Sequence, residues 1–363
     1  MNILIFTTSD GPINAIRPEL QIFVGLANKG HHVCVLTDEN TEYADIFKAN
    51  GIKVINQQPQ KKICFESIRV LRQELKRRDY DILYATNSKS IPNAAFACIG
   101  FNTRMITYRG TTGGLYRHDP TAYLTHLHPR VDGIVCVSDA VRDDIRRRVW
   151  KKQADVVTIY KGHELDWYQK PAADLGEFGI NESDFVLICA VNARPSKGIP
   201  VMIEAADQLA DLENLHLLLV GKNMQQYADQ IASGKMRKRI HLTGYRKDAP
   251  ELIVASDILV QPSISGEGLP RAVMEAMAYG TPPVITTTGG GKEVVRHDES
   301  GMIVPTSDAG ALARAIRELY QSPEKVAQMS TNCRQSIANE FSSKTTVDNF
   351  EKYFAKISGA SIS

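Results

Sequence analysis

Two carboxylates with seven residues between them, Glu267 and Glu275, stand out in a 363-residue chain. Gly266 and Gly268 flank the first, and the run Ala272-Val273-Met274-Glu275-Ala276-Met277-Ala278 behind them is rich in helix formers. The spacing predicts a glycine-rich turn opening into a helix, with Glu267 at the helix N-terminus and Glu275 two turns further in. Eight helical residues rise by about 12 Å, roughly the span from the sugar to the ribose of a nucleotide diphosphate sugar. The helix N-terminus between them can face the anionic diphosphate. Taken alone, the pair also reads as two solvent-facing glutamates on an amphipathic helix. The surroundings favour chemistry: Tyr279-Gly280-Thr281-Pro282 stops the helix, the apolar run Pro283-Val284-Ile285 follows, and a second turn comes at Thr288-Gly289-Gly290-Gly291-Lys292-Glu293.

A pair of cations lies upstream in Val191-Asn192-Ala193-Arg194-Pro195-Ser196-Lys197-Gly198-Ile199-Pro200. The segment follows a strand-like run and opens a helix whose first turn tolerates Pro200, because the missing N–H would be unpaired there anyway. Arg194 can chelate phosphate oxygens with its planar fork, and Lys197 adds a compact positive charge. Both suit a leaving diphosphate. As an isolated Arg-x-x-Lys they would be two solvated charges, but a turn after the first strand of a nucleotide-binding fold is where phosphates bind.

Together these segments resemble the Glu-x7-Glu signature and phosphate turn of retaining glycosyltransferases of family 4, which have the GT-B fold. The resemblance covers nearly the whole chain and is most specific from 190 to 305. It implies that Glu267 bonds donor-sugar hydroxyls and Glu275 the ribose hydroxyls, neither being a covalent nucleophile. Gly268, Leu269 and Pro270 would offer backbone to the sugar and diphosphate, and Thr243-Gly244-Tyr245 would cradle the base. The Tyr245 ring or the Arg246 guanidinium would stack on that base, or the segment is only a turn. The implied reaction is same-face attack of an acceptor hydroxyl on an oxocarbenium-like centre, in a cleft between domains, with the departing phosphate oxygen taking the proton. The expected donor is a UDP-sugar and the expected acceptor a glycan or lipid-linked hydroxyl, in surface polysaccharide or lipopolysaccharide assembly. Neither a cofactor nor a metal is expected, since the family positions the diphosphate with Arg and Lys, and no Asp-x-Asp stands at a strand end in the way that holds a metal in the other main glycosyltransferase fold. Rival readings are a nucleotide-sugar-binding protein without catalysis, and a GT-B phosphorylase or epimerase.

The N-terminal half departs from the family pattern twice. After the first strand, Thr8-Ser9-Asp10-Gly11-Pro12 holds Gly11 where the family commonly has two glycines. After the fifth, Arg109 occupies the place of a histidine facing the donor sugar, where its guanidinium would bind an anionic acceptor or the diphosphate, or pair with a carboxylate. His118 is the candidate replacement for that histidine. His126 and His128 lack further ligands nearby and read as surface residues rather than a metal site.

These groups need a scaffold to place them. Strand-like runs at 2–8, 32–37, 53–56, 82–85, 104–108, 133–137 and 156–160 alternate with helical patterns, and a second series runs through 185–191, 216–220, 240–243, 258–261, 283–286 and 302–304. Continuous apolar character in the strands predicts parallel sheets covered on both faces. The fold class is therefore α/β, with two doubly wound Rossmann-like domains: 1–165 for the acceptor, 166–340 for the donor, and a helix at 341–358 crossing back to the first.

Composition bounds the rest. The six cysteines are scattered without a Cys-x-x-Cys pair and read as free thiols. No run has the length and apolarity of a membrane-spanning helix, and the N-terminus is unlike a signal peptide, so a cytoplasmic location is expected. The net charge of +2 hides an asymmetry: residues 1–165 hold 23 Lys+Arg against 17 Asp+Glu. Within that half Arg142, Arg146, Arg147, Arg148, Lys151 and Lys152 surround Trp150. A basic helix there would be a solvated face or would lie on anionic membrane at its inner surface. Nucleic acid is not expected, because the common binding motifs are absent.

Overall fold

The computed structural model describes residues 1–8, 11, 13–150 and 154–361. The chain divides into two compact units, Met1–Gly162 with Phe341–Ser363, and His163–Glu340.

The first unit is built on seven parallel strands: β1 (Asn2–Phe6), β2 (His32–Thr37), β3 (Lys53–Asn56), β4 (Ile82–Ala85), β5 (Arg104–Arg109), β6 (Gly133–Cys136) and β7 (Asp155–Thr158). They lie in the order β3-β2-β1-β4-β5-β6-β7. Ile3 registers with Val33 on one side and Ile82 on the other. The inner strands are buried on both faces, which is why their sequences are apolar without alternation. The helix Ser343–Ser358 completes this unit. Phe350 and Phe354 each lie 5.6 Å from the Tyr84 ring, and Gly25 clears the space for Val347, whose Cγ2 would be 2.5 Å from any added Cβ.

The second unit has six parallel strands: β8 (Phe185–Ala190), β9 (Leu215–Val220), β10 (Ile240–Gly244), β11 (Ile258–Gln261), β12 (Pro283–Thr286) and β13 (Met302–Val304). Their order is β10-β9-β8-β11-β12-β13. The chain winds outward from β8 to β10, then returns to the far side of β8. The direction of winding thus reverses between β8 and β11, and the crevice beyond their carboxyl ends is the place where such sheets bind ligands.

All thirteen strand-like runs form strands, with ends shifted by at most two residues. The boundary between the units falls at Gly162–His163, three residues before the sequence-based one. The Gly162 N–H donates to Thr346 Oγ1 at 2.9 Å, which ties it to the first unit. His163 belongs to the second, where its ring meets Tyr168 and the Tyr168 ring packs on Tyr279.

Two local expectations are corrected. The basic helix is shorter, Asp139–Arg146, and the arginines of this segment are largely engaged: Arg142 by Asp139 and Asp143, Arg146 by the Val156 carbonyl and, beyond the helix, Arg148 by Asp144. Lys151 and Lys152 lie outside the described residues. His126 and His128 are buried rather than on the surface: His126 shares a 3.0 Å hydrogen bond with Thr107 Oγ1, and His128 packs edge-on against Phe96. Among the described residues all six cysteines are free thiols, and no helix is long and apolar enough to cross a membrane.

Candidate functional site

The turn after β8 begins the site. Pro195–Lys197 forms one 3-10 turn, and Gly198 (φ +67°) then caps the helix Ile199–Asp207. A Cβ on Gly198 would collide with the Pro262 carbonyl, so glycine lets this turn press against the segment after β11. The Ile264 N–H donates to the Ser196 carbonyl at 2.8 Å and closes the contact. Two segments far apart in sequence are thereby held side by side.

Their side chains converge on Glu267. Its Oε1 accepts from Lys197 Nζ at 2.5 Å, Ser263 Oγ at 2.6 Å and Gln261 Nε2 at 3.1 Å. With only 7% of the residue exposed, this is a buried carboxylate held by three donors on one oxygen. Gly289 (φ +54°) secures it from behind, since any Cβ there would strike the Glu267 carbonyl, and the Gly290 N–H donates to the Gly268 carbonyl at 2.9 Å. The second glycine-rich turn thus serves as a brace for the first.

Glu267 does not stand at a helix N-terminus. The helix is Arg271–Tyr279, capped by Pro270, so Glu267 precedes it by four residues and only Glu275 lies on it. The Pro270 ring cannot sit inside a helix after Gly-Leu, and delays its start. The 12 Å of helical rise expected between the carboxylates is therefore replaced by one turn of helix and an extended approach. Glu275 is poised differently from Glu267: burial pushes its carboxyl up to about 7, opposed by Arg271, whose Nε lies 3.4 Å away.

Arg194, Lys197, Glu267, Leu269, Pro270, Arg271, Glu275 and Tyr245 all line one pocket of about 360 Å³ beyond the ends of β8 and β11. Arg194 is exposed at its edge. Tyr245 is 58% exposed, with Lys222 Nζ 5.2 Å from its ring centroid. Arg246 also reaches the pocket, but its guanidinium is held by Asp248 and Glu177 at 2.7–3.1 Å, which leaves Tyr245 as the ring available for stacking. Thr243 and Gly244 lie at the end of β10 outside the lining, where the Gly244 carbonyl accepts from the Gly221 N–H at 2.7 Å. Gly268 contributes backbone to the brace.

The remaining candidates belong to the first unit. Gly11 is exposed, with φ +144°, and its carbonyl accepts from the Tyr43 hydroxyl. Among the described residues Arg109 pairs with no carboxylate directly. It folds back on its own loop, donating to the Thr111 carbonyl at 3.0 Å and to the Gly113 carbonyl, while the Gly113 N–H donates to Asp144 at 2.8 Å. Burial lowers its affinity for the proton. His118 is exposed and stacked on Tyr116 at 5.4 Å, outside the pocket that Arg109 lines. That pocket, about 190 Å³, lies past the ends of β4 and β5, and the imidazole in its wall is that of His126, held neutral near pH 7 because burial and the Arg109 charge bring its pKa down to about 3. Read from the sequence, His126 is a surface residue without a part in the site. Its only signal was a histidine in a polar segment following β5.

Two family models match successive parts of the chain: Glycosyltransferase Family 4 over residues 20–167 and Glycosyl transferases group 1 over 172–336. The putative glycosyltransferase EpsD of Bacillus subtilis (strain 168) is 32% identical over 173 residues, 47% of this chain and 45% of EpsD. The UDP-Gal:alpha-D-GlcNAc-diphosphoundecaprenol alpha-1,3-galactosyltransferase of Escherichia coli is 25% identical over 234 residues, covering 61% of this chain and 59% of that enzyme. The chain thus spans less than two thirds of either relative. Among solved structures, Anabaena HepE in complex with UDP and glucose superposes with a TM-score of 0.74 at 20% identity, covering 98% of this chain and all of HepE, a likeness of fold.

Proposed function

The chain belongs to the family 4 glycosyltransferases of GT-B fold, and on that premise we propose that it transfers a sugar from a UDP-sugar, with retention of configuration and without a metal ion, to a hydroxyl of a lipid-linked or other glycan acceptor in surface polysaccharide or lipopolysaccharide assembly. One observation carries this reading: the Lys197–Glu267 pair lies in a single pocket with Arg194 and Glu275, at the point where the sheet reverses its winding. The UDP and glucose named with HepE, and the UDP-galactose and diphosphoundecaprenol acceptor in the name of the E. coli relative, favour the donor and acceptor classes.

In this reading the diphosphate occupies the mouth of the pocket, between the exposed Arg194 and the anchored Lys197. The sugar C1–O bond breaks toward the diphosphate, whose growing charge meets two fixed cations in a partly desolvated site. Glu267 aims Lys197 and offers its carboxylate to a donor-sugar hydroxyl. Glu275 accepts from the ribose hydroxyls, and Tyr245 stacks on the base. The acceptor oxygen bonds C1 from the face being vacated, and its proton passes to the departing phosphate oxygen.

Thermal-shift titration with UDP, GDP and ADP, followed by transfer assays with sugars of the stabilising nucleotide, tests the proposal. Preferential stabilisation by UDP and acceptor-dependent UDP release are expected. Stabilisation by GDP or ADP alone would reject the uridine donor, and binding without turnover on any glycan acceptor would favour a binding protein.

A further inference from the structure

Past the ends of β4 and β5, the first unit holds a pocket that the donor chemistry leaves unused, and its charge is unbalanced. The lining contains one cation, Arg109, and no carboxylate. At about 190 Å³ the pocket is smaller than the roughly 300–1,000 Å³ of sites for drug-sized ligands, which suits a single sugar unit.

Arg109 is half-buried, and two of its nitrogens are fixed: Nε donates to the Thr111 carbonyl at 3.0 Å and Nη2 to the Gly113 carbonyl. Carbonyl oxygens orient a guanidinium without neutralising it. Asp144 meets this loop through the Gly113 N–H at 2.8 Å, and its ion pairs are with Arg147 and Arg148. The other cation close by, Lys161, lies 4.1 Å from the Tyr108 ring centroid and is paired with Glu19 at 2.7 Å. Among the described residues Arg109 therefore brings to the pocket a partly desolvated charge without a counterion. Such a charge is costly to keep unless it is paired, and a bound anion is the partner that would pair it. Arg109 takes the place in which the family pattern has a histidine, so the fixed charge is this chain's own.

The rest of the lining is neutral and rich in donors. Asn87 Oδ1 is committed to the N–H groups of Lys89 and Ser90 at 3.0 and 2.9 Å, which leaves Nδ2 with one long approach, 3.5 Å, to Thr8 Oγ1. The Ser90 hydroxyl accepts from the Thr86 and Asn87 N–H groups and holds the turn after β4 in place. His126 shares its Nδ1 with Thr107 Oγ1 at 3.0 Å. Thr107 is fully buried, and that nitrogen is the side-chain partner its hydroxyl has among the described residues, so the hydroxyl donates to Nδ1 and the ring proton sits on Nε2. Arg109, Asn87 and His126 thus each bring an N–H donor to a lining without negative charge.

We infer that this pocket selects the acceptor by taking a sugar unit that bears a carboxylate, with Arg109 as the residue that sets the preference. One fixed cation matches one negative charge. A phosphate monoester, at about −1.5 to −2, would call for the paired cations that the donor pocket has in Arg194 and Lys197. Ser88 and Thr111 supply hydroxyls to the same lining for the hydroxyls of the sugar ring. The inference rests on the reading of the chain as a glycosyltransferase and adds the chemical class of its acceptor.

Two measurements separate the inference from that reading. Saturation-transfer NMR on the full chain, without donor, reads binding alone: glucuronate and galacturonate are expected to bind about tenfold more tightly than glucose, and Arg109→Gln to remove the difference at an unchanged melting temperature. Transfer assays with acceptors alike but for a terminal glucuronate or glucose read turnover. There kcat/KM is expected to favour the acidic acceptor by roughly tenfold to a hundredfold, the gap closing in Arg109→Gln mainly through KM and reopening in part in Arg109→Lys. Equal kcat/KM for both acceptors, a preference that survives Arg109→Gln, tighter binding of glucose 6-phosphate than of glucuronate, or a preference for a UDP-hexuronate donor with indifference to the acceptor would overturn the inference while sugar transfer stands. Arg109-dependent binding of glucuronate without transfer to any acceptor would support the pocket and reject the reading.

Discussion

Glu267 and Glu275 carry the same functional group in opposite states of readiness. Glu267 has three donors on one oxygen, whereas Glu275, largely withdrawn from solvent, has among the described residues a 3.4 Å approach from Arg271, and burial raises its carboxyl to about 7. A raised carboxyl binds protons more tightly in the folded chain than in the unfolded one. The stabilisation it provides is complete below about pH 4.5, is lost as pH rises to about 7, and is absent above. The shift corresponds to about 3 kcal/mol or less. Glu275→Gln should therefore melt higher than the parent chain at pH 8 yet bind UDP more weakly by about 1.5–3 kcal/mol, the worth of a hydrogen bond to a charged group. Melting curves paired with calorimetry check the two opposite signs. At pH 6.5, binding of UDP-glucose should release a proton from Glu275, seen as a dependence of the heat on buffer ionisation that the Gln variant lacks. Lys197→Ala should lower kcat by about 10²–10³ with a smaller change in KM, because leaving-group charge appears only in the transition state. Steady-state kinetics giving near-normal kcat would remove Lys197 from the diphosphate.

The glycines that clamp these residues act at the level of the turn. Gly198 and Gly289 both have positive φ and both face a carbonyl where a Cβ would go. Gly289→Ala should cost about 2 kcal/mol or more through backbone strain and displacement of Glu267. Denaturant titration measures that loss, and kcat should fall further than stability alone explains. The strands and this pair of turns were legible in the sequence because buried parallel strands are continuous apolar runs and glycines mark tight turns. The start of the Arg271–Tyr279 helix was not. The spacing of the two carboxylates read Gly268-Leu269-Pro270 as a first turn, while the structure spends those residues bringing Glu267 back toward Lys197. Nor was the burial of His126 legible, because a polar surrounding sequence says nothing of a pocket wall built from three distant loops. The engaged Arg246 escaped for a similar reason: Glu177, which holds it, lies 69 residues upstream.

At the scale of the whole molecule, the first unit is closed by a segment from the far end of the chain. Phe350 and Phe354 are fully buried against Tyr84, so Phe350→Ala should destabilise this unit by about 3–5 kcal/mol. Scanning calorimetry should show the earlier melting transition, and UDP affinity, which the proposed function assigns to the second unit, should persist below it. The central claim is that this chain moves a sugar with its configuration kept, using fixed cations on the diphosphate in place of a metal ion. Proton NMR of the anomeric signal of the product, formed from an α-linked UDP-sugar in the presence of chelator, tests it most directly. The account predicts an α-linked product at an undiminished rate; a β-linked product, or transfer that stops in chelator and resumes with magnesium or manganese, would contradict it.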